Sequence, residues 1–349
     1  MATFTPAPST SGARAANDSP IVVGSRGSAL ALWQTNWALE RVRERMPAAH
    51  FDLQTITTQG DHTQGHNTAL ARLGDKGLFV AELERALLEG ALDVAVQPMN
   101  DHALAQAERG AIDAAVHSLK DLPSVVTPGL TLAAITERED PRDALVSRAG
   151  LTFEQLPQGA TVATSSLRRR AQLLSRRPDL RIVEIRGNVD TRLRKAMAPD
   201  GPDATILAAA GMKRLGLEQH ITELLPIELL TPAAGQGALA IETRADDRRA
   251  RRMLRVIDHL PTRRAVTAER TVLAALGGGC LVPLGAHATV SPDGETMRLL
   301  AVVANPDGTR LIRVERTGRA SHPVTLGRAV ARELLRQGAG EIVRAVLGR

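Results

Sequence analysis

Arginines at the ends of predicted strands are the largest group of candidate functional residues in this sequence. A guanidinium group binds a carboxylate through paired hydrogen bonds, and a helix N-terminus adds partial positive charge for an anion. Several such turns facing one cleft would suit a ligand that carries many carboxylates or phosphates. A solvated surface rich in arginine is the alternative, which explains any single arginine better than it explains the set. The arginines are Arg26, Arg168, Arg169, Arg186, Arg192 and Arg214.

A lysine and an aspartate follow another predicted strand, in the run Ser118-Leu119-Lys120-Asp121. This spacing can put an ammonium group and a carboxylate into one cleft. The carboxylate could accept hydrogen bonds from ligand N–H groups, stabilise a developing cation and move protons. From the spacing alone, a surface ion pair is the slightly better explanation.

The single cysteine, Cys280, follows three glycines. Glycines allow close approach of the backbone to a ligand, and a thiolate is a nucleophile suited to covalent attachment. A lone cysteine that serves as a small buried hydrophobic residue is equally compatible with the composition. No internal disulfide can form, so nothing indicates secretion.

Composition excludes several classes of protein. The chain has 349 residues, of which 43% are hydrophobic and 23% charged, as expected for a globular protein of two or three domains. No apolar run is long enough to cross a membrane, and no zinc or phosphate-loop spacing occurs, so we expect no metal site. The net charge of +6 is compatible with nucleic acid or with a small polyanion. The aromatic content of 2% weakens the nucleic-acid interpretation, because few bases could be stacked.

Hydrophobic periodicity predicts alternating strands and helices that would position these residues. Such a pattern favours an α/β sheet with helices on both faces, where ligands bind beyond the carboxyl ends of the strands. Strands are predicted over 21–24, 51–57, 94–96, 114–117, 160–163, 182–185 and 204–208, with helices over 29–46, 78–89 and 167–175. A small α+β region follows, with helices over 265–276 and 324–338 and strands over 284–290, 297–305 and 310–317.

An internal repeat precedes the lysine–aspartate pair. Residues 91–101 recur twenty positions later as residues 111–121. The second copy carries Ser118 and Lys120 where the first carries Pro98 and Asn100, so only the second copy has the chemical groups of a site. Two copies are too few for a solenoid, and a local tandem duplication is the better explanation.

Together these motifs resemble the porphobilinogen deaminase family, also called hydroxymethylbilane synthases, over nearly the whole chain from Ile21 onward. The segments that carry the resemblance are Ala-Val-His-Ser-Leu-Lys-Asp (115–121), Glu-Arg-Glu-Asp-Pro-Arg-Asp-Ala (137–144), Thr-Ser-Ser-Leu-Arg-Arg (164–169), Arg-Gly-Asn-Val (186–189), Pro-Ala-Ala-Gly-Gln-Gly-Ala (232–238) and Gly-Gly-Cys (278–280).

The resemblance implies a transferase of tetrapyrrole and heme biosynthesis. Such an enzyme polymerises four porphobilinogen molecules head to tail, with release of ammonia, into the linear tetrapyrrole hydroxymethylbilane (preuroporphyrinogen). Its primer is a dipyrromethane cofactor held covalently by a thioether. The resemblance also implies a cytoplasmic monomer that passes its product to uroporphyrinogen-III synthase, with no membrane or nucleic-acid partner.

The resemblance assigns roles to individual residues. Asp121 would be the catalytic carboxylate and Cys280 the point of cofactor attachment. The residues implied to bind the cofactor are Lys120, Ser118, Thr164, Ser166, Arg168 and Arg169. Those implied to bind the substrate are Arg26, Ser28, Gln34, Arg186 and Arg192, with Arg214 beside them, and Lys76 belongs to a loop before the site.

The implied architecture is two doubly wound domains of the type II periplasmic-binding-protein kind plus a small C-terminal α+β domain. The expected boundaries are a disordered tail at 1–19, a discontinuous first domain at 20–137 and 238–256, a second domain at 142–233 and a cofactor-attachment domain at 260–349.

The repeat departs from the family pattern. We expect the extra segment, about 91–110, to form an added surface element and the second copy to occupy the sheet. If the first copy displaced it, Asp101 would take the place of Asp121, and the protein would be a catalytically impaired anion-binding homologue. A non-catalytic binding protein and a nucleic-acid-binding module are the remaining alternatives. The first has no need of Cys280, and the second does not explain arginines at strand ends.

Overall fold

The computed structural model describes residues 20–56, 80–89, 112–279 and 282–348, and these residues form three sheets. Lys76, Cys280 and the predicted strand over 94–96 lie outside the described residues. None of the helices in the described ranges has the length and apolar character needed to cross a bilayer.

The first sheet consists of β1 (Ile21–Arg26), β2 (Phe51–Ile56), β3 (Ala114–Ser118), β4 (Leu130–Ile135) and β10 (Leu239–Arg244). Their order across the sheet is β2-β1-β3-β10-β4. Strands β1, β2 and β3 are parallel, whereas β10 returns from much later in the chain and pairs antiparallel with both β3 and β4. The helices of this part are α1 (Ala29–Arg45), α2 (Ala81–Glu89) and α6 (Arg248–Leu254).

The second sheet consists of β5 (Asp143–Ser147), β6 (Thr161–Ala163), β7 (Arg181–Val183), β8 (Ala204–Ala208) and β9 (Glu223–Leu224), and its helices are α3 (Leu167–Arg176), α4 (Val189–Ala196) and α5 (Ala209–Arg214). The strand order is β7-β6-β8-β5-β9. Strands β6, β7 and β8 are parallel, so the turns that follow them open at one edge of the sheet. This edge carries five of the six predicted arginines, and the sixth, Arg26, ends β1 of the first sheet.

The third sheet is a meander, β11 (Leu284–Val290), β12 (Thr296–Ala304) and β13 (Leu311–Arg319), packed by helices α7 (Leu260–Ala275), α8 (Pro323–Arg336) and α9 (Ala339–Leu347). Helix α7 begins five residues earlier than the periodicity predicted. His259 caps its N-terminus, and a proline in the first turn is compatible with helix geometry. The strands β4, β5, β9 and β10 and the helices α4, α5, α6 and α9 were not predicted.

The second copy of the repeat forms β3. Asp113, just before the strand, accepts hydrogen bonds from the backbone N–H of Val22 at 3.0 Å and from Arg244 at 2.9 Å. Ile112 is fully buried and packs directly over Gly24, where a side chain on the glycine would clash. These contacts place Ser118, Lys120 and Asp121 at the carboxyl end of a central strand. The added surface element expected at 91–110 falls outside the described residues.

Candidate active site

A cleft of about 320 Å³ lies between the first two sheets, where their strands end. Its walls are built by segments that follow β1, β3, β6, β7 and β8 and by the segment 236–238. The tertiary structure therefore brings together residues that are far apart in the chain. The sequence-predicted site residues that line the cleft are Arg26, Ser28, Gln34, Ser118, Lys120, Asp121, Arg169, Arg186, Arg192 and Arg214.

The wall from the first sheet is fixed by helix α1. Ser28 caps this helix by accepting a hydrogen bond from the backbone N–H of Ala31 at 3.3 Å. The side-chain amide of Gln34 donates to the hydroxyl oxygen of Ser118 at 3.0 Å. The start of α1 is therefore tied to the end of β3, and both present hydroxyl groups to the cleft.

Lys120 and Asp121 lie on a single 3₁₀ turn, Leu119–Asp121, directly after β3. Leu119 anchors this turn, because its side chain is fully buried and its N–H donates to Ala238 at 3.1 Å. Burial lowers the pKa of Lys120, the charge of Asp121 opposes this effect, and the charge of Arg169 adds to it. The pair therefore lies inside the cleft instead of forming the surface ion pair that the spacing alone favoured.

Asp143 organises the floor beneath the cleft. Its carboxylate is fully buried and contacts Arg168 at 2.8 Å, Arg169 at 2.7 Å and the side-chain amide of Gln236 at 2.8 Å. Burial alone would raise the pKa of Asp143, but the two guanidinium charges and these hydrogen bonds hold it well below its usual range. Asp143 lies in the segment 137–144 that carries the family resemblance, but no role was predicted for it.

Three residues expected to bind the cofactor do not line the cleft. Arg168 points inward, where it contacts Asp143 and donates to the carbonyl oxygen of Thr231 at 2.8 Å. Thr164 is buried and accepts from the N–H of Ser166 at 3.2 Å, and Ser166 in turn caps helix α3. In this structure these groups hold the start of α3, and with it Arg169, in position.

Arg192 and Arg214 carry their positive charges in a part of the cleft wall that water reaches poorly. Burial lowers the pKa of Arg192 to about 10. The nearby positive charge of Arg169 also lowers this pKa, whereas the negative charge of Asp121 raises it. Burial likewise lowers the pKa of Arg214 to about 10, and its guanidinium donates to the carbonyl oxygen of Gly237 at 2.7 Å. Both remain cationic at neutral pH and are poised to bind carboxylates, which charge-assisted hydrogen bonds favour.

Several residues that sequence reasoning missed also line this cleft: His117, Ser165, Asn188, Asp190 and Gln236. Gln236 was signalled only by the two glycines around it. The loop that leads toward Cys280 also lies close to the site, because Gly278 packs against the side chain of Ser124, three residues after Asp121.

Comparison with known protein families gives two matches. A model described as "Porphobilinogen deaminase, dipyromethane cofactor binding domain" matches residues 21–109 and 101–252, two stretches that overlap within the repeat. A second, "Porphobilinogen deaminase, C-terminal domain", matches residues 263–336.

Curated relatives match over almost their whole length. The porphobilinogen deaminase of Desulforudis audaxviator is 48% identical over 326 residues, covering 93% of this chain and 97% of the relative. Those of Brevibacillus brevis and Geobacter sulfurreducens are each 46% identical, covering 93% and 94% of this chain and 97% and 95% of the relatives.

Solved structures similar to this chain include CbnR, a LysR family transcriptional regulator. It is 12% identical with a TM-score of 0.39, covering 69% of this chain and 70% of that one. A likeness of this degree carries no argument about function.

Proposed function

The chain belongs to the porphobilinogen deaminase family, and from this premise we propose how its own side chains carry out the family's reaction. The protein is a transferase that joins porphobilinogen molecules head to tail, with release of ammonia, into the linear tetrapyrrole hydroxymethylbilane. It uses a dipyrromethane cofactor. The observation that carries the proposed roles is the cleft itself, which places Arg26, Arg169, Arg186 and Arg192 around the same space as Asp121.

The described residues fit a dipyrromethane group. Each pyrrole ring carries two carboxylate arms and one N–H, so its binding site needs cations for the arms and acceptors for the ring. Arg169 and Arg192 each have a buried Nε atom without a hydrogen-bond partner in the described ranges, and Gln236 has a buried acceptor of the same kind. When bound, the cofactor supplies the pyrrole carbon onto which the chain grows. We propose Cys280 as the residue that holds it by a thioether.

Asp121 is the proposed catalytic residue. Its carboxylate accepts hydrogen bonds from pyrrole N–H groups, and its negative charge stabilises the positive charge that develops when ammonia leaves porphobilinogen. The carboxylate also holds and moves the proton that must leave the attacking carbon. Lys120 and Arg192 each place a positive charge near this carboxylate, which balances its negative charge within the cleft.

The other side chains bind and orient. We propose that Arg26, Ser28, Gln34, Arg186 and Arg192, with Arg214 beside them, bind the carboxylates of the incoming porphobilinogen. Arg169, Lys120 and Ser118 bind the arms of the cofactor, together with Thr164, Ser166 and Arg168, which in this structure hold the N-terminus of α3.

We also propose three domains built on the three sheets, a monomeric and cytoplasmic enzyme, and transfer of the product to uroporphyrinogen-III synthase. Sedimentation of the purified protein tests the monomer.

The intact mass of the protein under denaturing conditions tests the proposed function. We expect an added mass equal to two linked pyrrole units, mapped to the peptide that contains Cys280, because only a covalent thioether survives denaturation. The variant Cys280→Ala is the control and should carry no added mass. A wild-type chain that stays unmodified even after incubation with porphobilinogen contradicts the assignment.

Deletion of residues 91–110 tests the importance of the repeat. We expect turnover within about threefold of the full chain, because β3 and its anchors come from the second copy. The N–H of Ile112 lies 3.5 Å from the carbonyl oxygen of Ala86, in the last turn of α2. Residues 90 and 111 would then join Glu89 to Ile112 across three Cα–Cα steps, a reach of about 11 Å.

The matched control removes residues 102–121, the same length of chain, and keeps the first copy instead. This variant has Pro98 and Asn100 in place of Ser118 and Lys120, and we expect no turnover. Hydroxymethylbilane formation measures both. Loss of activity in the first deletion with a folded protein would show that the extra segment is required.

A further inference from the structure

Gln236 lies in a turn whose shape fixes its side chain. The flanking residues Gly235 and Gly237 have φ angles of +77° and +91°, in the left-handed region that favours glycine. A side chain at position 235 would meet Leu119, and one at position 237 would meet the carbonyl oxygen of Glu139. The turn therefore packs tightly against Leu119 and Glu139, and Gln236, which lies between the two glycines, lines the cleft.

The hydrogen bonds of Gln236 determine which way its amide faces. The Nε2 atom lies 2.7 Å from the carbonyl oxygen of Pro141 and 2.8 Å from Oδ1 of Asp143. Both partners are acceptors, and the low pKa of Asp143 keeps its carboxylate ionised. The nitrogen must therefore face them, and the amide cannot be flipped.

This orientation leaves the Oε1 atom of Gln236 as an unused acceptor. The residue is 1% exposed, and within the part of the chain that the structure describes Oε1 has no hydrogen-bond partner. A buried acceptor without a donor is destabilising, and such groups in native proteins call for a partner. Gln236 also lines the cleft that contains Asp121, so the natural source of a donor is the ligand.

We propose that Oε1 of Gln236 accepts a hydrogen bond from a pyrrole N–H of the bound ligand, as a second acceptor beside Asp121. This inference rests on the proposed function. The carboxylate arms of the ligand are acceptors and cannot serve Oε1, whereas the ring N–H is a neutral donor that suits a neutral amide oxygen. The ammonium group of porphobilinogen is better matched to the charge of Asp121. The ring belongs either to the incoming substrate or to the attached cofactor, since both present the same N–H.

Paired ligands test the contact. The probes are a pyrrole with the acetate and propionate of porphobilinogen but without its aminomethyl group, and the furan in which oxygen replaces the ring N–H. Calorimetry on the holoenzyme gives the ratio of their dissociation constants. In the wild type we expect the pyrrole to bind more tightly than the furan. This preference should be about fivefold to tenfold smaller in Gln236→Met, as for loss of one hydrogen bond.

The control variant is Gln172→Met. Gln172 is also a buried glutamine, but its amide is satisfied within the protein by Thr231 and Arg168, and it does not line the cleft. Its replacement should lower stability and leave the pyrrole-to-furan ratio at the wild-type value. If the role of Gln236 were merely structural, Gln236→Met would also lower stability and leave the pyrrole-to-furan ratio unchanged. If Gln236→Met does not fold, Gln236→Asn keeps the amide and withdraws Oε1 by one methylene, with the same expected change in ratio.

A second measurement identifies the ring. If the cofactor ring is the donor, loading the apo-protein with porphobilinogen should raise the thermal unfolding midpoint less in Gln236→Met than in Gln172→Met. If the substrate ring is the donor, the pyrrole-to-furan ratio measured on the holoenzyme should change in Gln236→Met. Either result supports the contact. If neither the gain in thermal midpoint nor the pyrrole-to-furan ratio differs between Gln236→Met and Gln172→Met, the contact is excluded. Wild-type hydroxymethylbilane formation is assayed in parallel, so that failure of the proposed function is distinguished from failure of this inference.

Discussion

We expect replacement of Asp121 with asparagine to lower kcat by about 10³-fold or more and to leave the protein folded. The substitution keeps the size of the side chain and one acceptor oxygen, but it replaces the other oxygen with an NH2 donor and removes the charge and the ability to hold a proton. Loss of a general base costs about 10²–10⁴-fold and loss of an electrostatic stabiliser about 10²–10³-fold. The measurement is single-turnover and steady-state formation of hydroxymethylbilane, with circular dichroism to confirm the fold.

The repeat supplies a matched control for this experiment. Asp101 is the counterpart of Asp121 in the first copy, and it follows Asn100 where Asp121 follows Lys120. We expect Asp101→Asn to retain turnover within about twofold, because the second copy forms the strand of the sheet. Near-normal turnover in Asp121→Asn would exclude it as the catalytic residue, and loss of turnover in the Asp101 variant would contradict the placement of the two copies.

We expect replacement of Asp143 with asparagine to destabilise the protein by about 3–5 kcal/mol, the general range for removal of one partner of a buried ion pair. The carboxylate is fully buried between two guanidinium groups whose side chains are 6% and 7% exposed. Without it, Arg168 and Arg169 remain buried as two uncompensated positive charges that repel each other. Urea unfolding at pH 7 gives the free-energy difference, and we expect cofactor binding to weaken as well because Arg169 lines the cleft.

The pH dependence of this effect has a defined sign. The pKa of Asp143 is lower in the folded protein than in the unfolded chain, so its contribution is complete above a pH of about 4 and is lost as the pH falls below that value. The difference in stability between wild type and Asp143→Asn should therefore narrow by about 1.4 kcal/mol per pH unit below a pH of about 4. A difference that stays constant with pH contradicts a lowered pKa of Asp143 in the folded state.

An exposed ion pair on the same helix provides the comparison. Arg176, in α3 like Arg168 and Arg169, contacts Glu154 at 3.4 Å, with both side chains more than 60% exposed. Water screens this pair, and surface ion pairs contribute about 0–1 kcal/mol. Glu154→Gln should therefore leave the free energy of unfolding almost unchanged.

The order of strands and polar turns in the sequence was sufficient to predict the α/β class and a cleft lined by arginines. The placement of Asp121 in that cleft followed only from the family resemblance, because the spacing alone favoured a surface ion pair. The physical reason is local: a buried strand needs a continuous apolar run, and the carboxyl ends of parallel strands lie at one edge of a sheet. The family matches agree with the activity and the cofactor that the motifs indicated.

Only the tertiary structure decided which copy of the repeat enters the sheet, because both copies have the apolar pattern of a strand. In the structure Asp113 contacts Val22 and Arg244, which are distant in sequence, and the first copy carries an aspartate, Asp93, at the same position. The tertiary structure alone also determines where the side chains of Arg168 and Gln236 point. Asp143 holds both, and it lies 93 residues from Gln236, so no local pattern could reveal that one carboxylate orders the floor of the site.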